Sequence, residues 1–157
     1  MDRGYLGIDN NRLLHMRAVG ERAAELGKSL FGWDEGKCQE LFVLGYLHDV
    51  GYQYSRLQLD HEEIGGLLLK TSGYKYWQEV YYHGVPGSSY QSDELLILNL
   101  ADMGTSKDGR RISMAERLKD IAERYGDESE QYCKAAVLIK EIRERLESIG
   151  KRTQADM

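Results

Sequence analysis

One proline, Pro86, stands in a chain of 157 residues, and elsewhere apolar side chains return at three- and four-residue steps between polar caps and glycines. That pattern restricts the chain to helices. Over residues 12–30 the apolar positions are Leu14, Ala18, Val19, Ala23, Leu26 and Leu30, with Asp9 or Asn10 as the cap and Gly32 as the stop. Asp34 caps a second segment carrying Cys38, Leu41, Phe42 and Gly45, which Gly51 is expected to end. Asp60 with Glu63 makes a capping-box-like start for a third, with Ile64, Leu67, Leu68 and Leu69 on its apolar face and Gly73 at its end. A fourth runs through the aromatic stretch 74–83, and Ser92 caps a fifth containing Leu95, Leu96, Leu98 and Asp102. Ser113 and Glu116 form another capping box. The last helix, expected over 128–150, puts Tyr132, Ala135, Ala136, Ile139, Ile142, Leu146 and Ile149 on one side and precedes a frayed tail, 151–157. The expectation is an all-α bundle of about six or seven helices forming one domain over 1–157.

Charged residues make up 30% of the chain and no apolar run approaches the roughly 20 residues of a membrane span. The first residues also lack the basic-then-apolar layout of a secretory leader, so the expected address is the cytoplasm. A formal charge of −5 argues against a general nucleic-acid surface but not against a small anionic substrate held at a metal. Cys38 and Cys133 lie far apart without a CxxC spacing and are expected to be reduced core or interface residues. The amphipathic last helix either covers the bundle or meets a second copy, which leaves a homodimer open.

Chemistry concentrates at His48-Asp49, two strong metal-ligand types side by side at the end of an apolar run. His15 lies on the inward stripe of the first helix, His61 in the first turn of the third, His83 at the end of the fourth and Asp102 at the end of the fifth. Each has a plainer reading taken singly: a core histidine bonded to a carbonyl, a surface cap, a helix-end aspartate. A buried carboxylate such as Asp102, however, needs a cation or hydrogen bonds to offset its desolvation.

The order His15, His48-Asp49, His61, His83, Asp102 resembles the HD superfamily of metal-dependent phosphohydrolases, and with both intervening histidines its two-metal members, over residues 10–125. The resemblance implies that His15, His48, Asp49 and Asp102 bind one divalent ion. It implies that His61 and His83 join a bridging Asp49 at a second, the metals being Fe, Mn, Co, Ni or Zn. His48 and Asp49 would stand at the catalytic centre, where metal-activated water cleaves a phosphoester or phosphoanhydride of a small nucleotide-like substrate. The chain is most similar to small single-domain bacterial HD proteins that split dinucleoside polyphosphates. It differs from the cyclic-dinucleotide HD-GYP type, because Tyr52 stands where those have a lysine. A mixed-valent di-iron oxygenase and a nucleotide sensor without turnover are the alternatives that the same ligands allow.

Arg12, one turn before His15, is open to three readings: substrate phosphate, the surroundings of the site, or the surface. Thr105, Ser106, Lys107, Arg110 and Arg111 form a loop of small donors and cations that either binds phosphate or is a solvated connector, and Lys70 is a further candidate. Segments 52–59 and 85–91 are the expected pocket walls, with the aromatics of 74–82 mainly in the core.

Overall fold

The computed structural model describes residues 8–53 and 61–155, with side chains to residue 150. Among the described residues are seven α-helices and no strand: α1 Asn10–Phe31, α2 Glu35–Leu47, α3 His61–Thr71, α4 Trp77–Tyr82, α5 Asp93–Met103, α6 Met114–Tyr125 and α7 Glu130–Ala155. A 3-10 turn, Val50–Gln53, follows α2. No helix among the described residues is long and apolar enough to cross a membrane.

Caps set most of the boundaries. Asp9, Asp34 and Ser92 accept the otherwise unpaired N–H groups of Arg12, Lys37 and Leu95. Ser113 and Glu116 complete a reciprocal capping box on α6. The Ser129 hydroxyl accepts the Tyr132 N–H, so α7 starts at Glu130 rather than 128, and it passes Gly150 to reach Ala155. The backbone of the tail is therefore helical to that point, where fraying was expected.

The long helices α1 and α2 meet backbone to backbone. A Cβ on Gly45 would lie 2.6 Å from Gly20 Cα, and one on Gly20 would lie 2.6 Å from the Phe42 carbonyl oxygen. Only hydrogen fits at either position. Against this pair lies α5, whose residues Leu95 to Asn99, Ala101 and Met103 are all buried. Ile97, Leu98 and Ala101 complete a core with Val19, Ala23, Leu41, Leu44, Tyr76 and Val80. Leu96 and Met103 complete a second with Ile121 of α6 and Ala135, Leu138, Ile139, Ile142 and Ile149 of α7. A helix apolar all round has to be enclosed, and α5 is enclosed from both sides.

Several expected faces turn out differently. Leu14 is 53% exposed, and the buried stripe of α1 is His15, Met16, Val19, Gly20, Ala23 and Gly27, because the α2 contact selects small residues. On α3 the leucines Leu67 and Leu68 face outward while Gly65 and Gly66 are buried. A Cβ on Gly66 would sit 2.6 Å from Tyr81 Cα, so α4 rests on the bare backbone of α3. Gly51 does not end α2, which stops at Leu47; it lies in the 3-10 turn, against the His61 carbonyl. Asp60 and most of the 52–59 segment fall outside the described residues. Both cysteines are free, but Cys133 is exposed rather than in the core.

Candidate metal centre

The ends of these elements converge. α1 brings Arg12 and His15, the residues just past α2 are His48 and Asp49, α3 opens with His61 and Glu62, His83 follows α4, and Asp102 lies in the last turn of α5. His15, His48, Asp49 and His83 are at most 3% exposed, values that histidine and aspartate tolerate only with partners.

Backbone carbonyls orient three of the imidazoles. Nδ1 of His15 lies 2.8 Å from the Ser106 oxygen, Nδ1 of His48 lies 2.7 Å from Gly45 and Nδ1 of His83 lies 2.6 Å from Val80. A carbonyl only accepts, so each Nδ1 carries a proton and Nε2 is the nitrogen turned inward. The Gly45 carbonyl in the last turn of α2, which also accepts the His48 backbone N–H, thus holds the ring of the histidine that follows the helix.

Asp49 divides its two oxygens between two pairs of rings. Oδ2 lies 3.6 Å from His15 Nε2 and 3.2 Å from His48 Nε2, while Oδ1 lies 3.3 Å from His61 Nε2 and 3.4 Å from His83 Nε2. Asp102 Oδ1 closes the first set at 2.9 Å from His15 Nε2 and 3.4 Å from His48 Nε2.

Burial alone would push both carboxyls up, but the charge of His48 and the hydrogen bonds from the rings hold Asp49 and Asp102 well below the usual carboxylate range. Burial would lower His48, and Asp49 and Asp102 outweigh it, raising the imidazole to about 10. The centre is therefore an anionic pocket that attracts positive charge, whether a proton or a metal.

The donor set fits a metal. Ligand atoms each about 2.1 Å from one ion stand about 3.0–3.4 Å from one another, close to the 2.9–3.6 Å spacings of the first set. Nε2 of His48 is buried between two carboxylates without an aligned hydrogen bond to either. Both ring nitrogens of His15 face oxygen acceptors, which one N–H cannot satisfy. A divalent ion answers both faults, and three groups of side chains can hold one: His15 with His48 and Asp102, His48 with Asp49 and His83, and His61 with Glu62 and His83.

Arg12 belongs to the same site. Its guanidinium donates to Asp49 Oδ2 at 3.1 Å and lies 3.9 Å from the centre of the Tyr52 ring, which stacks on His61 at 4.0 Å. Burial and the Asp49 charge push the Tyr52 phenol up, so this ring is neutral.

The remaining candidates have other partners. Thr105 and Ser106 are buried; the Thr105 hydroxyl donates to the Ala101 carbonyl, and the Ser106 hydroxyl accepts from Arg110 N–H and donates to Asp108. An isolated bridge from Thr105 to Arg111 closes this loop, whose Ser106 carbonyl orients His15. Arg110 pairs with Asp108, Arg111 with Glu25, and Lys107 is exposed. Lys70 lies over the Trp77 ring, nine residues and roughly 13 Å along α3 from His61. The reading from sequence missed Glu62, although it repeats the histidine-then-acid pairing of His48-Asp49. It also missed the orienting carbonyls, which leave no mark in the sequence.

Beside His61 and Glu62 opens a cavity of about 490 Å³, walled by Tyr81, Tyr82, Val85, Pro86, Met103 and, from α7, Gln131, Lys134, Ala135 and Leu138.

An all-helical bundle that gathers four histidines and two aspartates about a buried point, one carboxylate shared between two ring pairs, has the side chains to hold metal and the arrangement of a domain of the His-Asp kind. The HD domain family model matches residues 12–103, more than half of the chain, and the chain belongs to that family. HD domains bind divalent metals and are generally metal-dependent hydrolases. Comparison with curated proteins and with solved structures found no match. The matched segment runs from Arg12 to one residue past Asp102, so it holds every candidate ligand named above and excludes α6 and α7.

Proposed function

We propose that this HD domain hydrolyses a phosphoester or phosphoanhydride of a small nucleotide-like substrate at a pair of divalent ions. The observation that carries the reading is the split of Asp49: Oδ2 serves the His15 and His48 side, and Oδ1 serves His61 and His83. A carboxylate used at both oxygens by two imidazole pairs is the arrangement a bridging ligand needs. The ions supply Lewis acidity that activates water and neutralises charge developing on the phosphoryl oxygens.

The chain's own groups do the rest. Carbonyls of Ser106, Gly45 and Val80 keep three rings in one tautomer and one orientation. Arg12 fixes Asp49 with one N–H and carries further donors in a planar fork suited to a phosphoryl oxygen. Tyr52, packed between Arg12 and His61, holds that fork in place. The cavity beside His61 takes the organic part of the substrate, its tyrosines and aliphatic wall suiting a ring and Lys134 suiting an anion.

The test pairs metal content with turnover. Chelator-free protein should hold about two ions per chain, falling to about one in the His61→Ala, His83→Ala double variant, and should release phosphate from members of a nucleotide panel anaerobically with Mn or Fe. Oxygen consumption without phosphate release would instead return the oxygenase reading.

A further inference from the structure

We propose that Glu62 is a metal ligand, completing the donor set on the His61 and His83 side as Asp102 completes the other; the inference rests on the two-ion reading above. On one side of Asp49 stand two imidazoles and a terminal carboxylate, His15, His48 and Asp102. On the other, the six-residue order seen in the sequence supplies two imidazoles and nothing more. The structure fills that gap. Glu62 Oε2 lies 3.8 Å from His61 Nε2, and ligand atoms of His61, Glu62 and His83 all fall within 4.8 Å of one another.

Helix electrostatics does not account for this placement. An acid in the first turn of α3 is favoured by the helix dipole whichever way it points. Glu63, in the same turn, is exposed, whereas the Glu62 side chain is only 18% exposed and turns toward the rings. Charge gives the reason. Two divalent ions would leave two formal positive charges uncompensated by Asp49 and Asp102, and a third carboxylate removes one of them. Glu62 also lines the cavity beside His61, so as a ligand it takes a position on the second ion that would otherwise face water or substrate.

The experiment is a Mn2+ titration of chelator-stripped full-length protein by calorimetry, with bound metal counted by elemental analysis and helicity followed by circular dichroism. The variants are Glu62→Gln, Glu62→Asp and Glu63→Gln. The wild type should bind two ions, Glu62→Gln should keep one at unchanged affinity and bind the second at least about tenfold more weakly, Glu62→Asp should recover part of the loss, and Glu63→Gln should match the wild type. Two ions at unchanged affinities in Glu62→Gln would overturn the assignment; loss of activity alone, with a shifted pH profile, would make Glu62 a proton carrier. A wild type that binds a single ion would sink the two-ion reading and this inference together. Loss of helicity or of the first ion in both Glu62 variants would assign Glu62 to folding and overturn the proposal equally.

Discussion

His15, His48 and Asp102 come from α1, α2 and α5, helices locked together by the Gly20 and Gly45 contact and by a shared apolar core. His61, Glu62 and His83 come from the first turn of α3 and the end of α4, a helix of six residues, and His61 and Glu62 border a cavity of about 490 Å³. His15 and His48 are at most 1% exposed, against 13% for the His61 side chain and 18% for that of Glu62; Asp102 at 14% and His83 at 3% run the other way, so it is the cavity that marks the second side. One half of the centre is thus scaffold, with its rings fixed by packing, and the other half opens on the cavity where the proposed substrate would enter. Asp49 is the residue common to both.

The largest effect should therefore come from Asp49→Asn, which removes charge from both halves while keeping the shape. Metal affinity should fall by more than about 100-fold at both positions, beyond the range seen for groups that merely orient ligands. Titration calorimetry reads the loss. Retention of one ion at wild-type affinity would break the comparison, because Asp49 would then belong to one half only.

Two glycines separate the halves more finely. In Gly45→Ala the new methyl would lie 2.6 Å from Gly20 Cα, a backbone clash that should destabilise the protein by roughly 3 kcal/mol or more. For a chain of this size that is a Tm lower by about 6–12 °C. In Gly51→Ala the methyl would strike the His61 carbonyl and the Gly65 amide, so the start of α3 must move. Its signature should be loss of the second ion with the first retained, and calorimetry beside a thermal melt tells the two outcomes apart.

Much of this centre was legible before any coordinates. The caps Asp9, Asp34, Ser92 and Ser113 start their helices as expected, because an N-cap is a local chemical event readable from adjacent residues. The order of histidines and aspartates was legible for the same reason. Hydropathy failed where contact depends on what is absent from a side chain: Leu67 and Leu68 looked like a buried face, yet α3 buries Gly65 and Gly66. Gly51 looked like a helix stop and is instead the place where one backbone touches another. Glu62 passed as an ordinary first-turn acid, and the approach of His83 from α4 is what joins it and His61 into one group.

The scaffold half should also show itself in pH dependence. In the metal-free protein His48 is raised to about 10 from its ordinary 6.5, by Asp49 and Asp102 against the effect of burial. A raised imidazole stabilises fully below about pH 6.5, and that contribution is lost as pH climbs toward 10. Metal requires the deprotonated ring, so binding expels a proton, and apparent affinity should strengthen about tenfold per pH unit from 6.5 to 8.5. The Tm difference between loaded and stripped protein should widen over the same interval, as paired melts would show. An unchanged difference would place the titrating charge outside the His48 set.

The smallest effect tests the opening. Lys134 stands in the α7 wall of the cavity, beyond the segment that the HD family match covers, and pairs with Glu130 at 3.6 Å on the exposed surface. An exposed pair of this kind contributes about 0.2–0.5 kcal/mol, so Lys134→Ala should leave Tm and metal content where they were. If the anionic part of the substrate reaches past His61 into the cavity, KM should rise a few-fold, on the order of 1 kcal/mol, with kcat unchanged, because the lost attraction is felt equally by bound substrate and transition state. A change in kcat alone would move Lys134 from the wall to the chemistry. No change in either would put the organic part of the substrate elsewhere, and the cavity would then belong to the fold and not to the opening.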